Sequence, residues 1–364
     1  MNNMNNPRKI LMIDKGQPFN LDTPYNEPLG GSETSFLLLS QGLAEIDNSI
    51  ILLTNSQINV PNQSYNRLLH NVNILPQILP ECDIVILNRC LPQEVFMSDK
   101  RIFYYTHDAY DQDHILYWLV NDKVVNRVEK ILCVSEWQKE TLSKYYGVDK
   151  DKFHVIGNSF DPYLFSGYTE RKENKMIFAS IPYKGIDVLC DLYKDICHMS
   201  ERDDLEFHIF SSMGIYGNSQ GDKEYEEYFS KLQRTKGVFL HNAISMKELA
   251  YEFLSSRVMI HPQTYHETFG INYVMSQAAG CIPITVNSGA ANEVIDNYNS
   301  GFITEGKTIY NNECYEEFVT YASECFNDSP TEITYDLYKM GLHGQKFVKK
   351  WSYLNTSKRL VEIL

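Results

Sequence analysis

"YHETFGINYVMSQAAGCIPIT" occupies Tyr265–Thr285. A polar cluster runs into Gly270, then into an apolar segment rich in small residues, and ends after Pro283 in β-branched residues. With "RVMIHP" (Arg257–Pro262) ahead of it and "IPITVN" (Ile282–Asn287) closing it, the stretch reads as strand, loop, helix, strand. Such a unit belongs to a parallel sheet covered by helices. The expected helix covers Gly270–Ala279, capped by Thr268 or Glu267. Exposed N–H groups at its start, beside a glycine, suit an anion such as phosphate. A carboxylate just ahead, Glu267, repels phosphate but accepts hydrogen bonds from a hydroxyl-rich neutral group such as a sugar. It equally well complements the helix dipole, and residue types alone leave the two readings level.

The same alternation extends in both directions. "KILMID" (Lys9–Asp14), "IILLTN" (Ile50–Asn55), "DIVILNR" (Asp83–Arg89), "RIFYYTH" (Arg101–His107) and "KILCVS" (Lys130–Ser135) are short apolar runs of buried-strand type. A second series is "KMIFAS" (Lys175–Ser180), "LEFHIFS" (Leu205–Ser211), "GVFLHN" (Gly237–Asn242) and the two strands named above. Helical patterns lie between them. "SETSFLLLSQGLAEI" (Ser32–Ile46) has Ser32 placed as N-cap, and "SMKELAYEFLSS" (Ser245–Ser256) has Ser245 with Glu248 at capping-box spacing. Two βα series predict an α/β protein of two doubly wound domains, over residues 1–165 and 166–345, with polar "SGYTERKENK" (Ser166–Lys175) as linker. Ligands of such sheets sit beyond the carboxyl ends of the strands, so the expected site is the cleft between the domains.

Composition narrows the function. Hydrophobic residues make up 43% of 364, enough for two real cores. Lys plus Arg total 33 against 47 for Asp plus Glu, a net charge of −14. This argues against nucleic acid as partner, which requires a basic footprint. Eight scattered cysteines form no C-x-x-C pair, which predicts reduced thiols, a cytoplasmic location and no zinc site. No apolar run is long enough to span a bilayer, and "MNNMNNPRK" has no apolar core of a secretory signal.

Three further motifs follow strands. Gly30 and Gly31 in "PLGGSETSF" permit close backbone approach to a diphosphate, or form an ordinary strand-to-helix turn. His107 and Asp108 in "YYTHDAYDQDH" place an imidazole at a strand end, where it can donate to a substrate hydroxyl or serve a structural role, with Asp108 beside it to orient the ring. Lys184 in "ASIPYKGIDVL" can neutralise a phosphate or be a surface lysine.

Taken together and in order, these motifs resemble the retaining glycosyltransferases of family 4, which have the GT-B fold. The resemblance rests on Gly30–Gly31, His107, "VIGNSFD" (Val155–Asp161), Lys184–Gly185, Glu267-x-Phe269-Gly270, Ala278-x-Gly280 with Pro283, and Gly289 with "NEVI" (Asn292–Ile295). It covers nearly the whole chain and implies a final helix, within 346–364, that crosses back to the first domain. The implied activity moves a sugar from a nucleotide diphosphate sugar, UDP- or GDP-linked, to an acceptor, without a metal or other cofactor, in glycan biosynthesis. The implied catalytic residues are His107, Asp108 and Glu267. The implied donor-binding residues are Gly30, Gly31, Lys184, Thr268, Phe269, Gly270, Ile271 and Met275, with the base near "HNAIS" (His241–Ser245).

The chain departs from the family's pattern twice. Met275 stands where the family has a ribose-binding Glu, and no Arg precedes Lys184. The alternatives are therefore a catalytically silent sugar-nucleotide-binding subunit and, third, a sugar-nucleotide epimerase of the same fold. "DQD" (Asp111–Asp113) spells a metal-binding pair but lies several residues past its strand.

Overall fold

A computed structural model describes residues 8–57, 62–64, 66–327 and 336–364. The amino-terminal residues 1–7, over which the leader reading runs, lie outside these. The chain divides into two compact units. The first comprises Met1–Thr23, Gly31–Asp161 and Lys350–Leu364; the second comprises Pro24–Gly30 and Pro162–Lys349.

The first unit is built on eight strands: β1 (Lys9–Asp14), β2 (Ser49–Thr54), β3 (Asn62–Ser64), β4 (Arg67–Asn71), β5 (Ile84–Asn88), β6 (Arg101–Tyr105), β7 (Lys130–Cys133) and β8 (Phe153–Val155). Their order is β3-β4-β2-β1-β5-β6-β7-β8, parallel except for the antiparallel β3 at the edge. Leu11, Ile13, Leu53, Val85, Leu87 and Ile102 form a core beneath one face, and all are buried. Near-continuous apolar strands are required here because helices cover both faces. The helix Gly31–Glu45 packs against the carboxyl-terminal helix Tyr353–Val361, where Ser357 Oγ donates to the Leu39 carbonyl at 3.1 Å. Ser32 is not the N-cap expected from sequence. The helix begins one residue earlier, and Ser32 Oγ turns to Glu33 Oε2 at 2.7 Å.

The second unit holds β9 (Lys175–Ala179), β10 (Glu206–Phe210), β11 (Val238–His241), β12 (Val258–His261), β13 (Ile282–Thr285) and β14 (Phe302–Ile303). The order is β11-β10-β9-β12-β13-β14, all parallel. The capping box at Ser245 and Glu248 forms in full.

Each sheet has one place where the chain reverses its direction of growth across the sheet. In the first unit this lies between β1 and β5, and in the second between β9 and β12. The crevice beyond the strand ends at such a point is the usual ligand site of open α/β sheets.

Candidate functional site

In the second unit, the loops after β9 and β12 meet at the reversal point. Thr264 Oγ1 donates to the Tyr183 carbonyl at 2.9 Å, and Asn272 Nδ2 donates to the Ala179 carbonyl. Lys184 thereby comes onto Glu267, with Nζ 2.7 Å from Oε2. Both side chains are largely buried, at 17% and 14% exposure. Burial pushes the Glu267 carboxyl up, but the Lys184 ammonium pulls harder, and the group stays ionised below its ordinary range.

The loop holding Glu267 is tightly fixed. Ala290 N–H donates to the Glu267 carbonyl at 2.8 Å, and a Cβ on Gly289 would stand 2.1 Å from that oxygen. Only glycine fits at 289. Beneath the carboxylate, His261 Nε2 lies 3.9 Å from Glu267 Oε2 and 2.8 Å from Gln263 Oε1. Burial brings the His261 imidazole down to about 4, so the ring is neutral at physiological pH. Gln263 is itself buried and sits in the left-handed region, at φ 35°. A buried glutamine in that conformation stores backbone strain of the kind concentrated at functional loops.

The helix Ile271–Ala278 starts beside this pair. Gly270, at φ 79°, is its N-cap, and no side chain caps it. This corrects the assignment of Thr268 or Glu267 as cap: Glu267 is engaged by Lys184 instead. Thr268 and Ile271 are half-buried, Phe269 is buried, and Met275 is 4% exposed on the same helix. At the end of β11, His241 stacks on Phe210 with ring centroids 4.4 Å apart and 10° between planes, and its Nε2 lies 3.1 Å from His208 Nδ1.

In the first unit, the pairing register sets Asp14 beside Asn88 and Asn88 beside Tyr105 at the carboxyl ends of β1, β5 and β6. Asn88 Nδ2 donates to Asp14 Oδ2 at 2.5 Å, and Asn88 Oδ1 lies 3.0 Å from His107 Nε2. Burial and the nearby Arg89 charge bring the His107 imidazole down to about 3, against a hydrogen bond with Asn158, so the ring is neutral. Asp108 does not orient it. Its carboxylate is gripped by Arg89 at 2.7 and 3.0 Å, and Gln138 Nε2 donates to its backbone carbonyl at 2.9 Å. The Arg89 backbone is left-handed, at φ 53°, and its Nη1 also reaches Ser32 Oγ at 3.3 Å and Glu33 Oε1 at 3.8 Å. Gly31 opens the helix that carries these two residues, while Gly30 falls in the second unit.

The structure thus joins Lys184, Glu267 and Gly270, and separates Asp108 from the role given to it. Sequence reasoning missed Asp14, Glu33, Asn88, Arg89, His261 and Gln263. Their one local signal is position: four of them, Asp14, Asn88, Arg89 and His261, stand at the carboxyl end of an apolar strand. The Asp113 side chain lies outside the described residues. Among the described residues, no three His, Cys, Asp or Glu side chains are arranged to hold a metal ion, all eight cysteines are free thiols, and no helix is long and apolar enough to cross a membrane.

The chain matches two family models. One, "Glycosyltransferase Family 4", covers residues 29–163, and the other, "Glycosyl transferases group 1", covers residues 169–312. It is 26% identical over 210 residues to the O-antigen chain mannosyltransferase RfbU of Salmonella typhimurium, across 56% of this chain and 55% of that protein. It is 27% identical over 228 residues to an uncharacterized glycosyltransferase of Methanocaldococcus jannaschii, across 62% of this chain and 56% of that protein. These matches span little more than half the length of each relative. In fold it is similar to Anabaena HepE, solved in complex with UDP-glucose, at a TM-score of 0.71 and 14% identity over 98% of both chains.

Proposed function

The chain belongs to the glycosyltransferase family 4-like proteins of GT-B fold, and from that premise we propose that it is a retaining glycosyltransferase. It takes a sugar from a nucleotide diphosphate donor, UDP- or GDP-linked, and passes it to an acceptor without a metal ion. One observation carries the reading: the buried Lys184–Glu267 pair stands at the reversal point of the second sheet, beside the uncapped start of the helix Ile271–Ala278.

A diphosphate sugar offers that pair two different partners at once. Its phosphates attract Lys184 and the N–H groups at Gly270 and Ile271, which stabilise the charge that grows on the leaving diphosphate. Its sugar hydroxyls donate to the Glu267 carboxylate that Lys184 relinquishes. The slab formed by Phe210 and His241 is the proposed neighbour of the base. His107 and Asp108 belong to the acceptor side of the reaction. The UDP-glucose held by HepE supports including UDP-sugars among the donors to be tried first.

Thermal-shift measurement with UDP, GDP and their sugars tests donor binding. A ligand present at 100 times its dissociation constant stabilises the fold by about 2.7 kcal/mol. Release of nucleoside diphosphate from the stabilising sugar, in the absence of acceptor, tests the chemistry. Stabilisation without any release supports a silent donor-binding subunit, a reading favoured by Met275 in place of a carboxylate. No stabilisation by any nucleotide sugar removes both.

A further inference from the structure

We propose that Asp14, acting through the side-chain amide of Asn88, decides which ring nitrogen of His107 carries the proton. An ionised carboxylate can only accept hydrogen bonds. Asp14 Oδ1 accepts from the Gly16 N–H at 2.7 Å, and Oδ2 accepts from Asn88 Nδ2 at 2.5 Å. The Asn88 amide is thereby turned, with its oxygen toward His107 Nε2 at 3.0 Å. An amide oxygen cannot donate, so Nε2 must carry the hydrogen. The neutral ring then has its lone pair on Nδ1. Asp14 and Asn88 are positioning residues for His107, and their direction of donation is fixed at the end remote from the ring.

The charges facing Asp14 are consistent with this. Burial, then Glu33 from the neighbouring helix, raises its carboxyl to about 6, while the Asn88 and Gly16 hydrogen bonds and the Arg89 charge oppose the rise. The Cys90 thiol beside it is pushed up to about 12 and stays neutral. Asp14 is therefore ionised at pH 8, and the lock is engaged.

Replacing one oxygen by nitrogen reverses the chain of donors. In Asp14→Asn the Gly16 N–H keeps the side-chain oxygen, which leaves the new NH2 facing Asn88. Asn88 must turn its oxygen to that group and its NH2 to the ring. His107 Nε2 becomes an acceptor and the proton moves to Nδ1. The nearly isosteric exchange leaves the packing unchanged.

Nitrogen-15 NMR of histidine-labelled protein at pH 8 reads the tautomer directly, with His107→Gln identifying the His107 signals among ten histidines. The expected result is a proton on Nε2 in the parent and on Nδ1 in Asp14→Asn. A proton on Nδ1 in the parent, or the same tautomer in both proteins, overturns the proposal. If the variant does not fold, lowering the pH of the parent through about 6 protonates Asp14 and should release the single tautomer; a tautomer indifferent to that titration overturns it as well. The kinetic arm alone rests on the transferase reading. A wrongly protonated ring should lower kcat by at least about 10-fold, out of the 10²–10⁴-fold that a positioned proton-transfer group supplies, with donor KM unchanged. Inversion of the tautomer with unchanged kcat supports the lock and removes His107 from the reaction.

Discussion

The two sheets reverse at equivalent points, yet the polar groups gathered there differ in kind. At the first, between β1 and β5, Asp14, Asn88 and His107 form a directional row, and Arg89 holds Asp108 with two hydrogen bonds. At the second, between β9 and β12, a single ion pair, Lys184–Glu267, rests on a neutral imidazole beside an uncapped helix start. A hydrogen-bonded row in a low-dielectric interior fixes orientation, because turning one member unpairs the next. An ion pair fixes less. Its two halves can part when a ligand brings an anion for one and hydroxyl donors for the other. The first arrangement suits a group that must present one atom in one state. The second suits a site that exchanges an internal partner for a charged ligand.

Glu267→Ala should produce the largest effect and strike the comparison at its centre. Losing a charged hydrogen-bond partner costs about 1.5–3 kcal/mol, which is roughly ten- to a hundred-fold in kcat. Bare nucleoside diphosphate carries no sugar, so calorimetry should show its affinity unchanged, or increased because Lys184 no longer has an internal partner. Collapse of nucleoside diphosphate binding in a folded variant would show that Glu267 does not act as a sugar ligand.

The second effect separates function from stability at the other reversal point. The Asp14 carboxyl is raised from 3.8 to about 6 in the fold. Between those values the native state binds the proton more tightly than the unfolded chain, so this group's contribution to stability falls as pH rises through the window. Each pH unit of displacement is worth about 1.4 kcal/mol, which puts the penalty above pH 6 at roughly 3 kcal/mol. Asp14→Asn should therefore raise stability toward denaturant by up to that amount at pH 7.5 and by little at pH 4. A variant less stable than the parent at pH 7.5 would mean that the ionised carboxylate contributes more to the fold than its burial costs.

How far the sequence carries these arguments depends on whether the signal is local. Ten strands announce themselves as apolar runs, from "KILMID" to "IPITVN". The other four, β3, β4, β8 and β14, do not, because "NQS" is polar throughout, "RLLHN" is interrupted by polar residues, and "FHV" and "FI" are too short for a period to show. Glu267, Lys184 and Gly270 are visible because each sits in a loop with unusual chemistry beside a helix start. Asp14 and Asn88 are not, since their meeting depends on the register that aligns β1 with β5. Nothing near either residue encodes it. Asp108 misleads for the same reason: its sequence neighbour is His107, but its partner is Arg89, brought in from another strand end.

Met275→Glu sharpens the second reversal point by a smaller amount. Position 275 is 4% exposed, so a carboxylate there enters a nearly dry site and is held partly protonated in the empty protein. The variant should melt below the parent. If the helix face at 275 passes the ribose, added nucleoside diphosphate supplies two hydroxyl donors, and binding tightens by about 1–3 kcal/mol relative to the parent. The ligand-induced rise in Tm should then exceed that of the parent. An equal or smaller rise would place the ribose elsewhere.

The smallest expected effect is none at all, and it tests whether the second reversal point is sufficient by itself. Many diphosphate-transferring sites use a divalent cation to neutralise the leaving group. On the proposed transferase reading that role would fall to Lys184 and the N–H groups at the start of the helix Ile271–Ala278, a fixed positive end in place of an ion. The chain spells Asp-x-Asp twice: Asp149–Asp151 lies ahead of β8, and Asp111–Asp113 lies several residues past β6, in the unit that holds the His107 row and the Arg89–Asp108 pair. Turnover should thus survive exhaustive treatment with EDTA, and added magnesium or manganese should leave kcat and donor KM unchanged. Activity lost to EDTA and restored by either metal would mean that Lys184 and one helix start cannot carry the charge of the departing diphosphate. Asp111→Asn and Asp113→Asn would then be the variants expected to abolish the metal response.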